Sequence, residues 1–346
     1  MFVRKQEISL EFQPYIDFPP VSTKALYEQA CTGDTSSIDH WRKEWIENAK
    51  VNKERFGSFG LSSVGDLFQW MACRPCIIAG SGPSLRHNIA ALKHRPNGMG
   101  LVSCLHNFHA MEDAEAGVDY YVSLDAGPVT IEEVTEGGSK TADEYWAMTK
   151  DRTLIAFIAS NPELLRKWQG PIKFFRCPIP DVEIDKAHDE IEAFHSYVSC
   201  GGNVLGACLY IAKVYLGANP IVFVGADFSF GYDRSEKTGS LRFHAWDSKY
   251  DATLGHVMRV TDVFGNKVPT WPSYWNFKCF FDRTAIDVPG LWINATEGGI
   301  FGAYPDGNIR AIQQMTLAKV YEMYSLSNMF EGQALRPSEL DKRVCF

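Results

Sequence analysis

The stretch Cys76–Leu85, CIIAGSGPSL, decides how this chain is read. Four apolar residues run into Gly80-Ser81-Gly82. Pro83 and Ser84 follow, and then a helix-like segment, LRHNIAALK. Glycine lets the backbone come close to a ligand. A helix N-terminus offers unpaired N–H groups and a partial positive charge, which suit an anion. Pro83 and Ser84 both suit a helix start. Two readings stand side by side: an anion cradle, and a tight strand-to-helix turn with no ligand.

Outward from this stretch the pattern repeats. Strands are expected at 76–80, 100–104, 119–126, 153–159, 172–177 and 220–227. Between them come helical segments at 84–93, 106–116, 161–168 and 201–217. Nearly unbroken apolar strands alternating with helices predict an α/β, Rossmann-like, mostly parallel sheet with helices on both faces. Ligands of such sheets sit beyond the carboxyl ends of the strands. Gly80–Ser84, Asp125 and Gly225–Asp227 all fall at such ends. The segment GGNVLGACLYIAKVYLG repeats the opening grammar: Gly201, Gly202 and Asn203 open a helix that Asn203 is able to cap. Its glycines fit either an anion or close packing of helix on sheet.

Asp125 and Asp227 each end a strand. A carboxylate there can bind a metal, accept ribose hydroxyls or act as a general base; its plainer role is to cap a following N–H. The nine histidines show no metal-binding spacing. His106 and His109 lie where a strand meets a helix, with Asn107 between them. His244 sits in an aromatic insertion and is a candidate proton carrier. In INATEGG, Glu297 sits before two glycines, as an acceptor-binding group or base, or as an anchor for backbone N–H groups.

The chain has 346 residues, 45% hydrophobic and 22% charged, as in a globular protein. Its net charge of −8 argues against a broad DNA-binding face, and nucleic acid is not an expected partner. No apolar run is long enough for a membrane span. Residues 1–20 lack the apolar core of a signal peptide, so a cytoplasmic location is expected. The nine cysteines, among them Cys104, Cys200 and Cys208 in apolar surroundings, read as reduced thiols. CRPC, Cys73–Cys76, has a zinc-like spacing with no second pair to match it. The chain divides into a helical N-terminal segment (1–70, two helices), a nucleotide-binding core (71–228), a lid insertion (229–305) and a C-terminal part (306–346) with a helix from Asn308 to about Tyr324.

Taken together, IIAGSGPSL, VSLDAG, GGNVLGACLYIAKVYLGANPIVFVGADFSF, VFGNKVPTW and INATEGGIFG resemble the core of the motility-associated factor (Maf) glycosyltransferases. These belong to the MptE-like 6-hydroxymethylpterin diphosphokinase superfamily. The resemblance covers about Pro75 to Tyr324. IIAGSGPSL is also similar to the nucleotide-binding start of bacterial CMP-sialic acid sialyltransferases, with Ser81 where that family typically has Asn. The resemblance implies a nucleotide-activated sugar donor, with a CMP-sugar favoured, and an acceptor hydroxyl on a protein or small molecule. Gly80, Ser81, Gly82, Pro83, Ser84, Gly201, Gly202, Asn203 and Gly225 would hold the donor, and Asn107 and Asp125 its ribose or base. Asp227 or His244 would take the acceptor proton, with Glu297 beside the acceptor and no metal required. The alternative is an ATP-dependent pterin diphosphokinase with magnesium on Asp125 and Asp227, though no Walker sequence is present. A non-catalytic nucleotide-binding module and a nucleic-acid base glycosyltransferase are the remaining readings.

Overall fold

The computed structural model of the chain describes residues 23–230, 258–304 and 307–330. A long helix, α1 (Thr23–Phe56), comes first. The chain then runs through β1 (Cys76–Ala79), α2 (Leu85–Leu92), β2 (Gly100–Cys104), α3 (Phe108–Asp113), β3 (Tyr120–Ser123), α4 (Val129–Thr135) and α5 (Ala142–Met148). It continues with β4 (Thr153–Phe157), α6 (Pro162–Lys167), β5 (Ile172–Phe175), α7 (Val182–Ile191), α8 (Val204–Tyr210) and β6 (Ile221–Val224). A hairpin of β7 (Met258–Thr261) and β8 (Lys267–Thr270) precedes α9 (Pro272–Asp287), β9 (Trp292–Asn294), β10 (Ile312–Gln314) and α10 (Leu317–Phe330).

Eight strands form one sheet in the order β10-β9-β6-β1-β2-β3-β4-β5, and every pairing in it is parallel. The residues of β1, β2, β3 and β6 are buried throughout. A parallel sheet covered on both faces requires that, and it explains why these strands read as unbroken apolar runs. The chain steps outward from β1 to β5, then returns to place β6 on the other side of β1. The strand order therefore reverses between β1 and β6, and the crevice beyond their carboxyl ends is where such sheets take ligands.

Three features differ from the sequence reading. The two expected N-terminal helices are one, α1. Gly33 and the Thr-Ser-Ser run lie inside it, because weak helix formers cost at most about 1 kcal/mol each. Its later half is tied to the sheet: Asn48 donates to the carbonyls of Ala126 and Ala159, and Asn52 to those of Ile158 and Ser160. The C-terminal helix starts at Leu317. Ile312–Gln314 instead gains ladder hydrogen bonds as an edge strand beside β9. Lastly, the described part of the 229–305 insertion is built into the body. Strand β9 pairs with β6, and the rings of Phe281, Trp292 and Phe301 pack round Phe223 of β6. Aromatic content there makes core. Among the described residues no helix is long and apolar enough to cross a membrane.

Candidate functional site

At the sheet's switch point the ends of β1 and β6 approach through glycines. Gly80 N–H donates to Val224 O at 2.9 Å, and Gly82 N–H to Gly225 O at 2.8 Å. A Cβ on Gly80 would lie 2.5 Å from Gly225 O, and one on Gly225 would lie 2.5 Å from Gly80 O. The approach of the two backbones alone requires glycine at both places. In front of Gly82 a Cβ would lie 2.0 Å from Asp227 Oδ2. That space belongs to a carboxylate of the chain itself.

Asp227 follows β6 and is only 4% exposed. Ser84, expected to cap α2, makes no capping bond. Its hydroxyl donates to Asp227 Oδ2 at 2.7 Å and its N–H donates at 3.4 Å. From the other side comes the loop after β9. Ile300 N–H donates to Asp227 O at 2.8 Å, and Ala226 N–H to Thr296 Oγ1 at 3.1 Å. Gly299, with φ of +70°, comes so close that a Cβ would meet the Asp227 backbone at 2.4 Å. Burial pushes the Asp227 carboxyl up to about 7, with the Ser84 bonds and Arg86 opposing. A carboxylate balanced near neutrality can both accept and hold a proton there.

The Gly80–Ser84 turn has four N–H groups, since Pro83 has none. Those of Gly80, Gly82 and Ser84 are spent on Val224, Gly225 and Asp227. Ser81, half-buried, keeps the one amide of the turn with no hydrogen bond among the described residues. Asn107 braces the turn: its amide donates to the carbonyls of Ala79 and Gly80, at 3.3 and 3.1 Å. Asn203 caps α8 as expected, accepting from Gly206 N–H at 2.8 Å. Gly201 and Gly202 have φ of +57° and +86° and pack under the rings of Phe280 and Phe277. Leu205 of α8 reaches within 3.4 Å of a Cβ built on Gly80, so the two glycine turns are neighbours.

Asp125 lies exposed beyond β3. The protein atoms around it, and then Glu133, push its carboxyl up to about 6, with His106 opposing; water screens part of that push. His106 Nδ1 lies 3.1 Å from Glu133 Oε1. Glu297 is held in the left-handed region at φ +59°, and its carboxylate accepts from Leu317 N–H at 2.9 Å, at the start of α10. That is the anchoring role weighed for it. His244 lies outside the described residues.

Magnesium on Asp125 and Asp227 together does not fit. Strands β3 and β6 are three places apart in the sheet, about 14 Å at about 4.8 Å per strand. One magnesium ion holds its ligands at about 2.1 Å. No group of three or more His, Cys, Asp or Glu suited to a metal occurs among the described residues. CRPC forms no zinc pair: Cys73 is disulfide-bonded, and Cys76 is a free thiol buried in β1.

Sequence reasoning missed a buried network behind the site. Lys278 and Asp282 of α9 pair with each other, 0% and 2% exposed. Lys278 Nζ lies 3.7 Å from the centre of the Tyr304 ring and 4.8 Å from that of Trp275. Asp282 accepts from Gly302 N–H at 2.9 Å and from the Tyr304 hydroxyl at 2.8 Å, fixing the loop that carries Gly298 and Gly299. The i,i+4 spacing of Lys278 and Asp282 looks like an exposed ion pair. Only the aromatic residues around it hint at burial. The partnerships of Ser84 with Asp227 and of His106 with Glu133 carry no local signal at all.

No curated protein matches the chain. The structure of the Maf glycosyltransferase from Magnetospirillum magneticum AMB-1 is similar, with a TM-score of 0.55 at 13% identity. The likeness covers 83% of this chain and 41% of that one, and at this identity it is a likeness of fold. The model of one family, described as 6-hydroxymethylpterin diphosphokinase MptE-like, matches residues 43–233. That span runs from within α1 to just past Asp227. It takes in both glycine turns, Asn107 and Asp125, and it makes up more than half of the 346 residues. On that match the chain belongs to the MptE-like family.

Proposed function

We propose that the protein is a nucleotide-dependent transferase that moves a sugar from a nucleotide-activated donor to an acceptor hydroxyl. The observation that carries this reading is Asp227: a buried carboxyl near neutrality, at the switch point, wrapped by Ser84, Gly82 and Gly299. In this reading the acceptor hydroxyl gives its proton to Asp227 and attacks the anomeric carbon. The bond from that carbon to the donor phosphate breaks, and the nucleotide leaves. The Ser81 N–H and the Gly201–Asn203 turn face the phosphate and sugar. Asp125 takes ribose hydroxyls, about 10 Å from β1 across two strand spacings. A CMP-sugar is the favoured donor, since a nucleoside monophosphate leaving group asks for no metal.

The family match supports a second reading, transfer of diphosphate from ATP to a pterin alcohol. The two are separated by thermal shift with CMP, UDP, GDP and adenine nucleotides, each with magnesium and with EDTA. Stabilisation grows with ligand concentration over Kd. Stabilisation by CMP in EDTA supports sugar transfer. Stabilisation by ATP alone, and only with magnesium, replaces it with the diphosphokinase.

A further inference from the structure

Two pairs of free cysteines bring their sulfurs to the same distance. Cys177, just past β5, and Cys200, just before Gly201, have Sγ atoms 3.9 Å apart. Cys104 of β2 and Cys208 of α8 are also 3.9 Å apart. Distance alone does not distinguish them, but their surroundings do. Cys104 and Cys208 are 1% and 0% exposed inside the sheet–helix layer, and burial holds the Cys208 thiol well above its usual range. Cys200 is half-buried and next to the candidate crevice.

We infer that Cys177 and Cys200 form a redox-active dithiol, with Cys200 as the attacking sulfur and Cys177 as the resolving one, and a peroxide as oxidant. Three features of the geometry support it. The two segments run side by side: Arg176 N–H donates to Ser196 O, and Val198 N–H to Arg176 O, at 2.9 and 2.8 Å. Closure to a disulfide brings the two sulfurs from 3.9 Å to about 2.05 Å. Cys200 lies on the solvent side of Cys177, which is 6% exposed, so peroxide meets Cys200 first. The Cys177 thiol and the Gly202 N–H both face Cys200 sulfur, and they bring its thiol down to about 7, which favours the nucleophilic thiolate.

The steps balance. The Cys200 thiolate attacks one peroxide oxygen, the O–O bond breaks, and Cys200 becomes a sulfenic acid as hydroxide leaves. Cys177 sulfur then attacks Cys200 sulfur, the S–O bond breaks and water leaves. Overall two thiols and one hydrogen peroxide give one disulfide and two waters, with two electrons passing from sulfur to peroxide. The disulfide would tie the turn Gly201–Asn203 to the end of β5, beside the donor-side glycine turn. The chemistry itself does not depend on which transfer reaction the protein performs.

The test uses the full chain and hydrogen peroxide as the probe. After graded oxidation, remaining thiols are blocked with N-ethylmaleimide, and peptides are mapped by mass. The expected result is a Cys177–Cys200 cross-link, two hydrogens lighter, while Cys104 and Cys208 are alkylated once the chain is unfolded. In Cys177→Ser, Cys200 should persist as a sulfenic acid that dimedone captures. A Cys177–Cys200 pair that stays fully alkylatable at doses oxidising other thiols overturns the inference. So does a Cys104–Cys208 cross-link that forms as readily, or a Cys177→Ser chain without a dimedone adduct on Cys200.

Discussion

Replacing Asp227 with Asn should make the protein more stable at pH 8 while removing its activity. Burial raises the Asp227 carboxyl from 3.8 to about 7. The folded state therefore binds a proton more tightly than the unfolded chain does. Its contribution to stability is fully present below about pH 4, declines as pH rises, and is lost above about pH 7. At about 1.4 kcal/mol per unit, the ionised carboxylate costs about 4 kcal/mol at pH 8. Asn carries no charge and keeps the size. The bonds from Ser84 are already included in that shift, and the Asn side-chain oxygen still accepts from the Ser84 hydroxyl. The expected net gain for Asp227→Asn is about 4 kcal/mol at pH 8, shrinking to nothing near pH 4. Urea unfolding of both proteins, followed by tryptophan fluorescence at the two pH values, measures it. With a slope of about 2 kcal/mol per M, the midpoint should rise by about 2 M at pH 8 only. Equal midpoints at both pH values, or a less stable variant at pH 8, would refute the account of Asp227 as a strained buried base. If it is the base, turnover should fall by about two to four orders of magnitude.

Ser84→Ala removes a donor to the carboxylate, so the acid limb of the pH–activity profile should move up by about one unit; an unmoved limb means Ser84 does not tune Asp227. Glu297→Ala should lower stability by about 1 kcal/mol through the lost cap on α10, with nucleotide affinity unchanged by thermal shift. A large loss of nucleotide affinity would instead place Glu297 at the ligand. Burial holds His188, 1% exposed beneath α1, down at about 4. Its share of stability is present above about pH 6.5 and should be lost as pH falls through about 4, and His188→Gln should flatten that acid loss in urea titrations.

The parallel sheet was legible because its strands are apolar on both faces and its punctuation is local. IIAG, VSLDA and VFVGAD each announce a strand end, and Asn161 and Asn203 cap the helices they were expected to cap. The edge strand Ile312–Gln314 was not legible. It has three residues, and its strand character comes from β9, which is distant in sequence. The described part of the insertion, 258–304, was hard to place for a related reason. Phe281 and Phe301 look like lid aromatics, but both rings pack on Phe223 of β6 and on each other. The positions of Ser81, Ser84, Asp125 and Asp227 at strand ends could be read; their partners could not. Hydrogen bonds between residues 143 positions apart, as for Ser84 and Asp227, leave no periodic trace.

The question raised by Gly80-Ser81-Gly82 has two parts with different answers. Gly80 and Gly82 are forced by contact within the chain, with Gly225 O and the Asp227 carboxylate, so these glycines would be needed even without a ligand. Ser81 is different. It is the position where a side chain is tolerated and where the backbone N–H is left over after the strand ends have paired. A turn that spends two of its four amides on the end of β6 and a third on the Asp227 carboxylate is built first around that strand end and its carboxylate. The anion is secondary. In the proposed sugar-transfer reading the first G-x-G serves the base, and part of the donor's grip comes from the second glycine turn and from Asp125 across the sheet.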